Sequence, residues 1–311
     1  MQDNQVQHPQ RVFGYDVIKP VGRGAASFIY AVRRPGSGQV YALKHVVCHE
    51  AKEERFVEQV RNEYTVGNQV RCPGLRRPLE LLTDGSWLHR VHEVALIMEM
   101  FDGVCLEHFR ALTLDEAIAC GITVARVLHA MHEAGFLHCD MKPANLLMNE
   151  HGEFCVIDLG QACPIGTIKR RIQGTPAFMA PEQFHRRPVF TRSDIYNLGA
   201  TLYWFLTHRA LTTACTLDRG ANSFLLDAAQ PSPHELNSAV PDSLSGLVMK
   251  CVRTNPDHRP ANMQEVIRPL ETISYMLSHA PIGAADNRHR SAGIPNHLHM
   301  ENTHPAPGAH A

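Results

Sequence analysis

The stretch His138-Cys139-Asp140-Met141-Lys142-Pro143-Ala144-Asn145 places an acid, a cation and an amide within a few residues, in a segment that Pro143 keeps out of helix. Asp158-Leu159-Gly160 follows directly on an apolar run, Phe154–Ile157. Two carboxylates and an amide delivered by neighbouring hairpin ends can converge on a divalent cation, which takes hard oxygen ligands. Upstream, Val21-Gly22-Arg23-Gly24-Ala25-Ala26-Ser27 joins two strand-like runs. Glycines there let backbone amides approach a phosphate, although any hairpin needs glycine as well. A turn between two strands does not open the helix that a dinucleotide site requires. Lys44 stands in the apolar run Tyr41-Ala42-Leu43-Lys44. An outward strand lysine is one reading; a buried ammonium would need a partner. Glu63, in helical register with Phe56, Val60 and Tyr64, is the carboxylate placed to supply it. Three further features are Gly174-Thr175-Pro176-Ala177-Phe178-Met179-Ala180-Pro181-Glu182, Asp194 at a helix start, and Arg259 in Asn255-Pro256-Asp257-His258-Arg259-Pro260.

The elements that must position these groups follow from periodicity. Tyr15–Ile18, Phe28–Val32 and Val40–Val47 read as strands, the last two joined at Pro35-Gly36-Ser37-Gly38. Residues 51–70 predict one amphipathic helix, and Leu79–Leu82 and Val94–Met98 two more strands. Thr113-Leu114-Asp115-Glu116 is a capping box for a helix carrying Ile118, Ile122, Ala125 and Leu128 and ending near Gly135. Leu146–Met148 and Phe154–Ile157 predict short strands around the turn Asn149–Gly152. Ser193 is the expected cap of a helix running through Leu206, and Ser243–Cys251 and Asn262–Leu270 predict two more. Strands followed by helices, without βαβ alternation, predict an α+β chain of two lobes. The residues from Ser278 onward are rich in Pro, Ala, Asn and His and read as a flexible tail.

Composition sets the outer limits. The chain has 311 residues, 44% apolar and 20% charged, with a net charge of −1, which excludes binding to nucleic acid through whole-chain charge. The apolar run Val94–Met98 is far short of the roughly 18 residues a membrane span needs. The polar N-terminus lacks the apolar core of a secretory signal. Nine cysteines, an odd number without a C-x-x-C pair, suit free thiols in a reducing compartment, so the expected location is cytoplasmic. Six of the 20 histidines lie in the tail (His279, His289, His297, His299, His304, His310), too sparsely for a defined metal site.

In order and spacing, these segments resemble the signature set of the protein kinases over about Phe13 to Tyr275. The resemblance implies a two-lobed kinase-like fold: a small antiparallel-sheet lobe with one helix (about 13–99) and a larger helical lobe (about 103–277). Residues 1–12 and 278–311 flank it as flexible ends. It implies transfer of the γ-phosphate of ATP to protein hydroxyls, with magnesium, or manganese in its place. Gly22 and Gly24 would cover the phosphates, within a nucleotide-facing stretch that continues through Arg23, Ala25, Ala26, Ser27 and Phe28. Lys44 would hold the α- and β-phosphates and pair with Glu63. Asp140 would orient and deprotonate the substrate hydroxyl, and Lys142 would neutralise the moving phosphoryl group. Asn145 and Asp158 would be metal ligands. Val21, Ile29, Ala42, Met98 and Leu147 would line the adenine slot, with backbone bonds offered by Glu99 and Phe101. Glu182 and Arg259 would form a buried structural pair. Lys142 and Thr175 resemble the serine/threonine class, in which Thr175 would bridge Asp140 and Lys142. The short segment from Asp158 to Glu182 looks most like the eukaryotic-type kinases of bacteria. A pseudokinase scaffold and a small-molecule kinase are the rival readings; the full set of charged residues speaks against the first, and Thr175 and Glu182 against the second.

Four residues depart from the family pattern. Cys139 replaces the arginine that commonly meets an activation-segment phosphate, which implies activity without phosphorylation at Thr167; a redox-sensitive thiol beside the loop is one reading of its side chain, and a half-buried, inert one is favoured. Ser27 stands for a third glycine. Leu159 replaces phenylalanine as an apolar plug. Gly67, where a large apolar residue is usual, implies a looser, more mobile helix.

Overall fold

In the computed structural model, which describes residues 8–24, 26–84, 92–108, 111–213, 227 and 230–279, the strand-patterned half forms one six-stranded sheet. Its strands are β1 (Arg11–Val12), β2 (Tyr15–Arg23), β3 (Phe28–Arg33), β4 (Val40–Val47), β5 (Pro78–Thr83) and β6 (Glu93–Glu99), in the order β1-β2-β3-β4-β6-β5, all antiparallel. β1 covers only the first residues of β2, so Pro20, which has no N–H to give, lies where β2 has become the sheet edge. The β3–β4 turn closes with the Ser37 amide on the Arg34 carbonyl at 3.0 Å and with Gly36 at φ +76°.

The predicted 51–70 helix begins as a 3₁₀ turn, Ala51–Glu53, and continues as α1, Glu54–Gln69. The Glu53 carboxylate accepts the amides of His49 and Glu50 at 2.8 and 3.0 Å and so organises the turn that leads into α1. Val57, Val60 and Glu63 face the sheet, while Val66 and Val70 join the core of the other lobe. The expectation of a loose fit at Gly67 is overturned. A Cβ built there would come within 2.7 Å of the Pro78 ring, so the missing side chain lets the sheet edge press directly on the helix. Leu159, 2% accessible, closes the same contact as the expected apolar plug.

The helical lobe contains the short strands β7 (Val104–Cys105), β8 (Phe136–Leu137), β9 (Leu146–Met148), β10 (Phe154–Val156) and β11 (Cys163–Pro164). Its helices are α2 (Leu114–Glu133), α3 (Pro181–Phe184), α4 (Thr191–Thr207), α5 (Pro233–Leu236), α6 (Asp242–Cys251) and α7 (Gln264–Ser278). The Thr113–Glu116 box caps α2 as its sequence requires, and Gly135 at φ +83° ends it. Two expectations are corrected. Ser193 lies inside the first turn of α4, not ahead of it; its hydroxyl still accepts the Phe190 amide at 3.3 Å and donates to Glu182 at 2.7 Å. The last helix runs past Leu270 through Pro269 to Ser278, because Ile273 extends the buried stripe of Val266, Ile267 and Leu270. The ends read as flexible over 1–12 and from 278 are corrected at their inner edges, because Arg11–Val12 pairs with β2 and buries Val12, and Ser278 closes α7; residues 1–7 and those beyond His279 lie outside the described residues.

Candidate active site

Lys44 is the midpoint of β4, paired with Ile29 on one side and Leu96 on the other, and only 8% accessible. Its ammonium lies 2.7 Å from Glu63 Oε2 on α1 and 3.1 Å from Asp158 Oδ1, just beyond β10. The outward-facing reading of this lysine is therefore excluded. Burial works against the ammonium, but the two carboxylates outweigh it and raise the Lys44 pKa above its ordinary value. Desolvation likewise works to raise the Asp158 pKa; Lys44 overrides it and holds that carboxyl well below the usual carboxylate range. Asp158 takes a left-handed backbone, φ +65°, stabilised by the Gly160 amide on Oδ1 at 3.1 Å.

The 138–145 loop lies below this pair. Lys142 Nζ is 3.0 Å from Asp140 Oδ2 and donates to Thr175 Oγ1 at 2.8 Å. The bridge is thus made by the lysine, and not by Thr175 as the resemblance implied. Asn145 Nδ2 donates to the Asp140 carbonyl at 2.7 Å, and the Asn145 carbonyl accepts the Ile157 amide at 2.9 Å. That second bond ties Asn145 to the residue before Asp158. Away from these groups, Arg259 reaches both oxygens of Glu182, at 2.7 and 3.0 Å, with its side chain wholly inaccessible. Burial would raise the Glu182 pKa; Arg259 lowers it below the ordinary value.

The glycine-rich turn closes with the Gly24 amide on the Ser27 carbonyl at 2.8 Å, and a Cβ on Gly24 would fall 2.5 Å from Ser27 Oγ. A side chain at 24 would therefore have to displace the Ser27 hydroxyl, whereas a Cβ on Gly22 would make ordinary contact with Ile29. Arg23 lies over the Phe28 ring at 5.3 Å, Ala26 is half-buried, and Ala25 is outside the described residues. Among the adenine-slot candidates, Val21 is exposed and Ile29 and Leu147 are half-buried, while Ala42 and Met98 pack in the core. The Glu99 amide is occupied by the Arg77 carbonyl at 3.0 Å; Phe101 is half-buried beyond the end of β6.

A family model described as the protein kinase domain matches residues 15–270. The chain belongs to the protein kinase family. It is 28% identical over 267 residues to a probable serine/threonine-protein kinase of Clostridium perfringens, covering 83% of this chain and 38% of that protein. It is 28% identical over 299 residues to the serine/threonine-protein kinase PkaA of Streptomyces coelicolor, covering 88% of this chain and 53% of the relative. To PknK of Mycobacterium tuberculosis it is 27% identical over 266 residues, 84% of this chain and 24% of the relative. The chain thus spans from about a quarter to about half the length of these curated relatives. Among the described residues, no helix of this kinase chain is long and apolar enough to cross a membrane.

Within the kinase domain, the side chains that hold the 138–145 loop were given no role by its motifs. Asp194, fully buried, accepts the His138 amide at 2.9 Å on Oδ2 and the Cys139 amide at 2.8 Å on Oδ1, and it meets His132 Nε2 at 2.9 Å. Burial would raise its pKa; the bond from His132 leads the contacts that lower it. Gln183 donates to the Cys139 carbonyl at 2.8 Å and is itself held by Asn197. Thr201 reaches the Met141 carbonyl at 3.4 Å. Asp194, Asn197 and Thr201 recur at helical spacing on one face of α4, and polar residues at core-facing positions are the signal that could have found them. Cys139 is 1% accessible, not half-buried, and holds a left-handed backbone at φ +62°.

One further side chain bridges the lobes. Asn62 Nδ2, next to Glu63, points at the carbonyls of Leu159 (3.1 Å) and Ala162 (2.8 Å).

Among the described residues, no three His, Cys, Asp or Glu side chains are grouped to hold a metal by themselves. Asn145 Oδ1 and Asp158 Oδ2 receive no hydrogen bond from a described protein donor, and the Asp158 side chain is 42% accessible. Two hard oxygens with an open face suit a divalent cation that takes its remaining ligands from phosphate oxygens or water.

Proposed function

We propose that the chain is an ATP- and magnesium-dependent protein serine/threonine kinase, with its kinase unit over residues 13–277, acting on protein substrates in the cytoplasm. The observation that carries it is the shared ammonium of Lys44, bound at once to Glu63 in one lobe and Asp158 in the other. An ammonium held at that point presents a fixed positive charge to the α- and β-phosphates without reorganising during transfer. A divalent ion held by Asn145 and Asp158 would neutralise phosphate charge. Asp140 orients the substrate hydroxyl and takes its proton. Lys142, kept beside Asp140 by Thr175, balances the charge that develops on the moving phosphoryl group. The slot for adenine is drawn from Val21, Ile29, Ala42, Met98 and Leu147, and the glycine-rich turn covers the phosphates.

The test is transfer from γ-labelled ATP to generic protein substrates in the presence of magnesium. Asp140→Asn is expected to lower kcat by about 10²–10⁴-fold while leaving nucleotide affinity within a few-fold. Undiminished transfer by that variant, or nucleotide binding by the parent without magnesium-dependent turnover, would refute the assignment.

A further inference from the structure

Cys139 Sγ and Cys163 Sγ lie 3.5 Å apart in a small apolar pocket closed by Leu137 and Val189. The two thiols come from different segments. Cys139 precedes Asp140, and Cys163 belongs to β11, which pairs with β8 so that Cys163 stands opposite Leu137. Other buried thiols, such as Cys120 and Cys251, belong to separate places in the core, and burial pushes their pKa values up, for Cys251 to about 12. The facing pair is different in kind. The hydrogen bond between the two thiols lowers the Cys163 pKa, against the effect of burial and with help from Lys169, and raises that of Cys139. Lys169 is kept nearby by its bond to the Gln161 carbonyl at 2.5 Å. Cys163 is 8% accessible and Cys139 1%, so a small oxidant meets Cys163 first.

We propose that Cys139 and Cys163 are a modification site for hydrogen peroxide, which joins them in a disulfide that ties the 138–145 loop to the segment after Asp158 and slows phosphoryl transfer. The Cys163 thiolate attacks one peroxide oxygen; the O–O bond breaks, leaving a sulfenic acid on Cys163 and hydroxide, which is protonated to water. The Cys139 sulfur then attacks the sulfenic sulfur. The S–S bond forms, the S–O bond breaks, and the Cys139 proton leaves with the oxygen as a second water. Two thiols lose two electrons and two protons, and one peroxide is reduced to two waters.

The effect on transfer rests on the kinase reading of Asp140. A disulfide needs its sulfurs about 2.05 Å apart, so the pair must close by roughly 1.5 Å. The Cys139 backbone is held on both sides, by Asp194 at its amide and Gln183 at its carbonyl, so the closure acts directly on the residue before Asp140. A displacement of about 1 Å in a reacting group costs on the order of 10²-fold in rate.

The experiment treats the full chain with hydrogen peroxide, blocks remaining thiols, and digests it without reductant for mass spectrometry, with transfer measured on the same samples. The expected result is a linked peptide pair carrying Cys139 and Cys163, lighter by two hydrogens, with kcat lowered about ten-fold or more. Dithiothreitol restores both. Cys163→Ala, or Cys163→Ser if the alanine variant fails to fold, is expected to keep its rate through the same treatment. Free or separately oxidised thiols, a linked pair with an unchanged rate, or equal loss of rate in the Cys163 variant would overturn the proposal. The linked peptide is scored by mass without reference to transfer. Its absence from an active enzyme refutes this proposal alone, whereas absence of transfer before any treatment refutes the kinase reading.

Discussion

In the sheet-rich lobe, Lys44 is fixed by two carboxylates arriving from different elements, Glu63 on α1 and Asp158 beyond β10. In the helical lobe, Asp140 sits in a loop whose backbone is bonded at His138, Cys139 and Met141 by Asp194, Gln183 and Thr201. In the first arrangement Lys44 and Glu63 share a lobe, and Asp158 joins them only when the lobes are assembled. The second is built into one lobe, where two of the three bonding side chains extend from a single helix, α4. Losing a charge partner at Lys44 should therefore cost activity before stability, whereas losing a clamp on the loop should cost both together.

The comparison is broken most forcefully at Asp194. Replacing it by alanine leaves two buried amides without their acceptor, and loss of such a buried charged partner costs about 3–5 kcal/mol. Asp194→Ala is expected to lose transfer and to unfold at lower denaturant concentration; a variant that kept the parent midpoint would contradict the clamp. Glu63→Gln keeps the shape and removes one charge from the Lys44 ammonium. Its expected cost is about 1.5–3 kcal/mol in kcat/KM, a ten- to hundred-fold loss, with the thermal midpoint nearly unchanged. Equal losses of activity and stability there would erase the distinction.

A third, smaller effect is set by pH. Glu182 and Asp194 have folded pKa values below their ordinary 4.5 and 3.8, so the stability they add is present above those values and is lost as pH falls through the folded ones. Thermal midpoints should drop as pH goes below about 4.5, and Glu182→Gln should flatten that slope even though it begins less stable. The smallest effect is expected at Thr167, whose hydroxyl is given to the Pro164 carbonyl at 2.6 Å. With Cys139 in place of an arginine, Thr167→Ala should leave kcat within about two-fold of the parent; a collapse would mean that a phosphate at Thr167 is needed after all.

The groups proposed to perform the chemistry each carry a local signature. A lysine in an apolar strand, an acid five residues before an asparagine and an acid after a strand are readable without knowing the fold. The Thr113–Glu116 box and the β9–β10 hairpin were readable for the same reason, being complete within a few residues. What escaped was long-range. Pro78 meets Gly67 only because a sheet edge lies along α1, and no spacing rule connects the two. Cys163 stands opposite Leu137 across paired strands of two residues each, too short to carry a periodic signal, and Cys139 follows two residues after Leu137. Asp194 was visible, but its acceptors' partners are backbone amides, which look alike in every sequence.

Asn62, the residue before Glu63, joins its helix to the carbonyls of Leu159 and Ala162, one and four residues after Asp158. The turn that follows Asp158 and the helix that carries the lysine's other partner are thus fastened to each other by one side-chain amide.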